Sequence, residues 1–129
     1  MLELMIVVVI IGILAAIALP NYVKVSQRQY WRQAQDLLRT IYAGERAYFF
    51  ANGAYHDVAN PSDWQTIHVI DPTIAGVPVT YTAHLAGAGF LATATNDNDN
   101  TQTMTIDQDN KLCIDASIPP NNCGSWPQP

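Results

Sequence analysis

The sequence predicts an α+β protein in which a long N-terminal α-helical spine packs on a small antiparallel β-sheet domain. Residues 1–52 carry helical patterning, first uniformly apolar and then amphipathic. Residues 79–115 instead alternate apolar and polar side chains, which is the period of strands with one buried face. Because the helical and the strand-forming parts follow each other along the chain, they favour one α+β domain.

The first element is an apolar helix in residues 1–24. Its run from Leu4 to Leu19 carries no charge, and Glu3 is the one acid near its tip. At about 1.5 Å per residue, the stretch from Met1 to Leu19 would cover about 28 Å, close to the ~30 Å hydrocarbon core of a bilayer. The sequence therefore predicts a membrane or assembly helix. A cleaved signal peptide, a simple anchor, a buried core helix and a processing remnant are the alternatives.

Glu3 indicates that this helix needs a partner. A carboxylate at the head of a membrane-length segment costs free energy unless a cation neutralises it. The first twenty residues contain no basic side chain. We therefore expect the neutralising cation on another copy of the molecule, which makes the chain a candidate subunit of an assembly.

The stretch from Glu3 to Pro20 closely resembles the N-terminal helix of the type IV pilins and type II secretion pseudopilins, with acid, glycine and proline at set positions. In that family the mature chain usually begins with a methylated phenylalanine, and its glutamate is the fifth residue. The chain is thus expected to be about two residues short at its start. The basic leader that prepilin peptidase removes is expected to be missing as well.

The resemblance implies a type IV pilin-like fold and a structural role, with the chain as the major subunit of an extracellular filament on the bacterial cell surface. Before assembly the subunit would be stored in the inner membrane, and it would depend on prepilin peptidase and the pilus assembly machinery. Identical subunits would join through the N-terminal helix, where Glu3 meets the N-terminal amine of a neighbour.

Gly12 and Pro20 bracket a stretch of weakened helix, because glycine adds backbone freedom and proline removes an amide donor. Similar filaments lose helical structure there, so we expect local melting or a kink. The alternative is that Gly12 is a close-packing position and Pro20 a tolerated kink.

Residues 25–129 are predicted to form the second domain, which begins with the C-terminal half of the helix. Asn52 and Gly53 predict the helix end. One helical face recurs at steps of three and four residues, namely Ala34, Leu37, Leu38, Ile41, Tyr42, Glu45 and Tyr48.

A connecting loop of about residues 53–78, with one helical turn, is predicted from its alternation of turn formers and short apolar pieces. The antiparallel sheet then occupies about residues 79–115, with a hairpin turn at Asp109 and Asn110. Its strands are predicted at residues 79–85, 89–95, 102–107 and 111–114.

Cys113 and Cys123 are the two cysteines of the chain. An even count in an exported protein favours one disulfide, which would pin the tail of residues 113–123 to the last strand. The enclosed segment resembles the disulfide-bounded region of type IV pilins, whereas many major pseudopilins lack it. Two free thiols or a metal pair are the alternatives.

Charge is segregated along the chain. Five of the six basic residues lie between Lys24 and Arg46, and eight of the eleven acids lie beyond residue 50. The basic helix of one subunit could face the acidic domain of another, and the alternative is two solvated faces. Direct binding of nucleic acid is not expected, since phosphate backbones require cationic partners.

No catalytic, cofactor or metal site is predicted, because the histidines are scattered and no nucleophile or phosphate-binding motif occurs. The segment from Asn96 to Asn100 has oxygen ligands suited to calcium, which major pseudopilins bind, but such runs are also ordinary hairpin turns. A filament subunit is therefore the predicted function. A secretion pseudopilin of a short periplasmic pseudopilus and a membrane-anchored periplasmic binding module are the alternatives.

Overall fold

The computed structural model describes residues 1–114, without side-chain detail at residues 19–21, 23–24, 27, 74–75, 99–101 and 114. Its elements follow the predicted order, one long helix, a loop with short helical turns and a four-stranded sheet. They are α1 (Leu2–Asn52), α2 (Asp63–Thr66), a 3-10 turn (Pro72–Ala75), β1 (Val79–Ala86), β2 (Gly89–Asn96), β3 (Asp99–Asp107) and β4 (Leu112–Ile114). The α+β class is confirmed.

The chain separates into two compact units, Met1–Arg32 and Gln33–Pro129. Helix α1 supplies all of the first unit after Met1 and the opening part of the second. The division after residue 24 that the sequence indicates marks the end of the apolar half of the helix, and it stays a prediction.

The amphipathic face of the second unit is confirmed. Ala34, Leu38 and Ile41 are fully buried, and so is Glu45 on the same face. Leu37, Tyr42 and Tyr48 of the predicted face are half-buried. The helix thus buries the stripe that its three- and four-residue spacing requires.

Gly44 lies where the loop approaches the helix most closely. A Cβ atom at this position would stand 2.5 Å from the carbonyl oxygen of Ile67 and 2.8 Å from Cγ2 of Val69. Only glycine therefore allows this approach. The loop side chains Trp64, Ile67 and Val69 are buried, so the predicted connection also contributes to the core.

The helix ends where the sequence predicts. Gly53 adopts φ +78°, a left-handed conformation that glycine tolerates. Its amide donates a hydrogen bond of 2.7 Å to the carbonyl of Phe49. This bond satisfies one of the carbonyl groups that a helix C-terminus leaves without an intrahelical partner.

The sheet is an antiparallel meander in the order β1-β2-β3-β4. Alternate residues of the strands face the core, as their period of two requires. The buried set is Val79, Tyr81, Ala83, Phe90, Ala92, Ala94, Met104 and Ile106. Asn110, with φ +61°, lies between β3 and β4 and confirms the predicted hairpin turn.

Four strand limits differ from the prediction. β1 and β2 each end one residue later than predicted, at Ala86 and Asn96. β3 begins at Asp99 rather than at residue 102, because Asn96 and Asp99 pair across the strands after a shift of register between Thr95 and Asn96. The polar stretch from Asn96 to Asn100 thus contains a tight hairpin turn, as such runs often do. β4 begins at Leu112 instead of Lys111.

Candidate functional site

The described side chains of the first unit include a long series of exposed apolar residues. Every large apolar side chain from Met1 to Ile17 is at least 51% exposed, including 51% for both Val7 and Ile10. Soluble monomers rarely expose contiguous apolar patches above a few hundred Å². This surface is therefore the strongest candidate for a site of interaction with other molecules.

Glu3 lies in the first turn of α1 and is exposed. A negative charge is favourable there, since the helix dipole places partial positive charge at the N-terminus. No described cation forms an ion pair with Glu3 within the chain. The predicted pairing with the amine of a neighbour is untested and stays a prediction.

Gly12 and Pro20 lie inside a continuous helix, since α1 runs from Leu2 to Asn52. A Cβ atom added at Gly12 would meet no atom within 4 Å. Packing within the single chain thus does not require glycine at this position. The predicted melting concerns the filament and stays a prediction.

The expectation of a transmembrane helix is not confirmed. Among the residues whose side chains the structure describes, no helix combines the length and apolar character needed to cross a membrane.

Cys113 lies on β4, where it is half-buried and engaged in a disulfide. Cys123 lies outside the described residues. The pairing of these two cysteines therefore stays a prediction.

The turn between β2 and β3 uses its polar oxygens in hydrogen bonds. Oδ1 of Asp97 accepts from the Thr80 hydroxyl at 2.7 Å, and Oδ1 of Asn96 accepts from the Asn98 amide at 3.0 Å. Within the described part of the chain, no group of three or more His, Cys, Asp or Glu side chains could hold a metal ion. These contacts are those of a hairpin turn.

Glu45 is a site that the sequence placed on the helix face without assigning it a role. Its side chain is fully buried, and Oε2 accepts a hydrogen bond of 3.0 Å from the His56 amide. Burial raises the pKa of Glu45 above its ordinary value of 4.5, although the His56 amide and imidazole oppose this shift. The sequence feature that could have identified this site is an acidic residue at a core position of an amphipathic helix.

A second carboxylate joins the same segment to the sheet. Oδ1 of Asp57 accepts from the Leu85 amide at 3.2 Å and lies 3.2 Å from Nδ1 of His84. These two contacts lower the pKa of Asp57, with the Leu85 amide as the larger cause. Next to it, the Val58 amide donates to the Ala83 carbonyl at 2.9 Å. Residues 55–58, which we call the strap, thus connect α1 to β1.

Aromatic side chains pack around the start of the strap. Ring centroids are 4.6 Å apart for Phe49 and Tyr55, 5.1 Å for Tyr55 and Phe90, and 6.2 Å for Phe90 and Tyr42. The Arg46 guanidinium lies 5.2 Å from the Phe50 ring centre. Such contacts stabilise packing by about 0.5–1.5 kcal/mol per aromatic pair beyond burial.

The chain is similar to a known pilus protein. Over 60 residues it is 45% identical to the type IV major pilin protein PilA of Myxococcus xanthus (strain DK1622). The aligned part covers 46% of this chain and 27% of the relative. No family model and no solved structure matches. The similarity confirms the resemblance to type IV pilins over the aligned residues.

Proposed function

We propose that the chain polymerises with identical copies into an extracellular type IV pilus-like filament, as its major subunit. The exposed apolar surface of residues 1–18 is the observation that carries this proposal. Similarity to a type IV major pilin supports it independently. The role is structural, and the proposal includes no enzymatic activity.

The driving force is burial of the apolar helices against one another. Removing apolar surface from water contributes about 25 cal/mol per Å². In the first unit this surface remains exposed at Ile6, Val9, Ile13 and their neighbours. Packing against the same segment of other copies would remove it from water, or would replace lipid contacts if the subunit arrives from a membrane.

Glu3 sets the register of this packing in our proposal. A carboxylate in an apolar core is costly unless a cation neutralises it, and the N-terminal amine of a neighbour would supply that charge. A helix docked out of register would leave both charges buried and unpaired. Neutralisation therefore selects one position along the helix.

Gly12 and Pro20 would allow the helix between them to loosen in the filament. Glycine costs up to about 1 kcal/mol relative to alanine inside a helix, and proline costs about 3 kcal/mol. A Cβ atom at Gly12 would meet no atom within 4 Å, so packing within the single chain does not oppose loosening at this glycine. Such loosening would give the fibre extensibility.

Storage in the inner membrane, with processing by prepilin peptidase and export by the assembly machinery, forms the earlier part of the proposal. The uncharged run from Leu4 to Leu19 supports it. Fractionation of cells before assembly tests it, and the chain is expected in the membrane fraction.

The predicted Cys113–Cys123 disulfide favours a pilus subunit over a secretion pseudopilin. It would close a small loop, and closure of such a loop stabilises by about 2–3 kcal/mol. A membrane-anchored binding module remains the candidate from another class. Such a module would not polymerise, and this difference makes the proposal testable.

Electron microscopy of material sheared from the cell surface, with mass spectrometry of the subunit, tests the proposal. Long uniform fibres that contain this chain are expected. Glu3→Ala should reduce the fibres at least about tenfold, since the variant loses the charge that selects the register. Asp36→Ala is the matched control, because Asp36 is an exposed acid of the same helix.

Two results would contradict the proposal. If the wild-type chain were absent from any fibre, the pseudopilin or the anchored module would replace it. Normal fibres from the Glu3→Ala variant would refute the pairing mechanism and leave polymerisation itself standing.

A further inference from the structure

The strap of residues 55–58 is held from two sides by carboxylates. Glu45 of α1 binds the His56 amide, and Asp57 of the strap binds the Leu85 amide of β1. The first carboxylate is fully buried, whereas Asp57 is exposed. The two attachments therefore differ in their electrostatic surroundings although their chemistry is the same.

The attachment at Glu45 includes buried polar atoms whose hydrogen-bonding capacity is not satisfied. Oε1 of Glu45 and Nε2 of His56 are both buried, and neither has a hydrogen-bond partner among the described residues. The His56 ring packs on Tyr48 with centroids 5.1 Å apart, which keeps the imidazole in place. A buried carboxylate that accepts one hydrogen bond is penalised in its charged form, since charge prefers water.

We propose that Glu45 is a pH-responsive latch for the strap, which is held firmly while the Glu45 carboxyl is protonated and loosened when it ionises. The proposal concerns the folded subunit alone and does not depend on filament formation. It gives the buried acid a role that its place on the helix face did not reveal.

Among the described residues, two ionisable groups act on the Glu45 carboxyl. His56 and Asp57 act on it directly, in opposite directions. His56 also acts on Asp63, the acid of α2. On its own helix, the Arg46 guanidinium lies over the rings of Tyr42 and Phe50.

In the sheet, strand β1 carries Tyr81 and His84, and neither influences the pKa of Glu45. Burial raises the pKa of Tyr81 to about 12, so this phenol stays neutral between pH 4 and 9. His84 is in contact with Asp57. On β4, Cys113 is disulfide-bonded and does not titrate. Burial is therefore the largest influence on Glu45, as its raised pKa indicates.

The direction of the pH effect follows from this. Below pH 4.5 the Glu45 carboxyl is neutral in both the folded and unfolded chain, so its contribution to stability is complete. As pH rises, the unfolded chain ionises first, and stability is lost until the folded-state pKa is passed. The latch is thus strongest in mild acid and weakest at neutral or alkaline pH.

Hydrogen exchange of the full chain in detergent micelles tests the latch. After correction for intrinsic exchange rates, the protection factor of the His56 amide should fall as pH rises above 4.5. The fall is about tenfold for each pH unit by which burial raises the Glu45 pKa. The Val69 amide is the internal control, because it bonds to the Trp64 carbonyl at 2.9 Å and lies outside the strap.

Glu45→Gln is the variant that isolates the titration. The glutamine oxygen can accept the same hydrogen bond but cannot ionise, so the His56 amide should lose its pH dependence. His56→Gln should move the transition to higher pH, because the imidazole lowers the Glu45 pKa and its loss removes that effect. Both variants keep the backbone amide at residue 56.

The latch is refuted if the His56 and Val69 amides show the same pH dependence, or if the variant and wild-type profiles are parallel. Should Glu45→Gln fail to fold, carboxyl carbon NMR of the wild-type chain replaces it. A Glu45 carboxyl that titrates at or below 4.5 would then refute the proposal, and one that titrates above 4.5 would support it.

Discussion

The two units of this chain bury their apolar side chains to very different extents. In residues 1–32 the large apolar side chains up to Ile17 are at least 51% exposed, while Leu38 and Ile41 of the second unit are fully buried. A single continuous helix supplies both sets. Helical structure therefore says little about where a segment finds its stability, since most of that comes from packing of an apolar face.

The difference assigns separate roles to the two units. The second unit contains its own core, built from the helix face, the loop and the inner face of the sheet. In the first unit, none of the side chains that the structure describes is fully buried. Substitutions in the second unit should therefore change the stability of the subunit. Substitutions in the first unit should change assembly.

The largest effect on stability is expected for Phe90→Ala. Phe90 is fully buried and contacts the rings of Tyr42 and Tyr55, so its truncation should cost about 3–5 kcal/mol in the free energy of unfolding. Urea denaturation measures this value. Leu91→Ala, at a neighbouring position that is 40% exposed, is the control and should cost less than about 1 kcal/mol. Equal losses would contradict the assigned core.

A comparison of two glycines tests the two units directly. Gly44→Ala should destabilise the subunit by about 1–3 kcal/mol, because the new Cβ would collide with Ile67 and Val69. Gly12→Ala should be neutral or stabilise helix α1 by up to about 1 kcal/mol, because no neighbouring atom lies within 4 Å.

Denaturation of both glycine variants under the same conditions gives the two values. A Gly12→Ala variant as unstable as Gly44→Ala would show that the first unit is packed within the single subunit. Loss of fibre extensibility in Gly12→Ala alone would support the proposed role of this glycine in the filament.

The smallest effect is expected for the contribution of the Asp57 carboxylate to stability, which depends on pH. Its folded-state pKa lies below the ordinary value of 3.8, so its contribution is present above pH 3.8 and is lost as pH falls through the lowered value. Asp57→Asn should lower the thermal midpoint slightly at pH 6, and the difference should vanish near pH 2.

Asp36→Asn serves as the control for the Asp57 variant, since Asp36 is an exposed acid on α1. A difference for Asp57→Asn that stays constant from pH 2 to 6 would show that the carboxylate charge does not hold the strap. The pH dependence expected for the stability contribution of Asp57 is opposite to that of Glu45, whose contribution is lost as pH rises.

Local pattern was sufficient for most of the architecture. The spacing of Ala34, Leu38 and Ile41 predicts the buried helix face, and Asn52 with Gly53 predicts its end. Alternation predicts all four strands to within three residues at each limit. These features depend on residues close in sequence, so periodicity and turn chemistry report them. The exposed apolar helix and Glu3 likewise came from the sequence as the candidate site of assembly.

Long-range contacts fixed the remaining features. Glu45 accepts a hydrogen bond from an amide eleven residues away, and Asp57 accepts one from an amide 28 residues away. Gly44 is required because a loop that follows the helix packs closely against it. Local sequence periodicity does not predict these contacts, because each depends on how separate segments pack. Burial then decides the electrostatic outcome, raising the pKa of Glu45 and leaving Asp57 exposed with a lowered one. A carboxylate acquires its properties from the dielectric and partners that surround it after folding, and these are absent from the order of the residues.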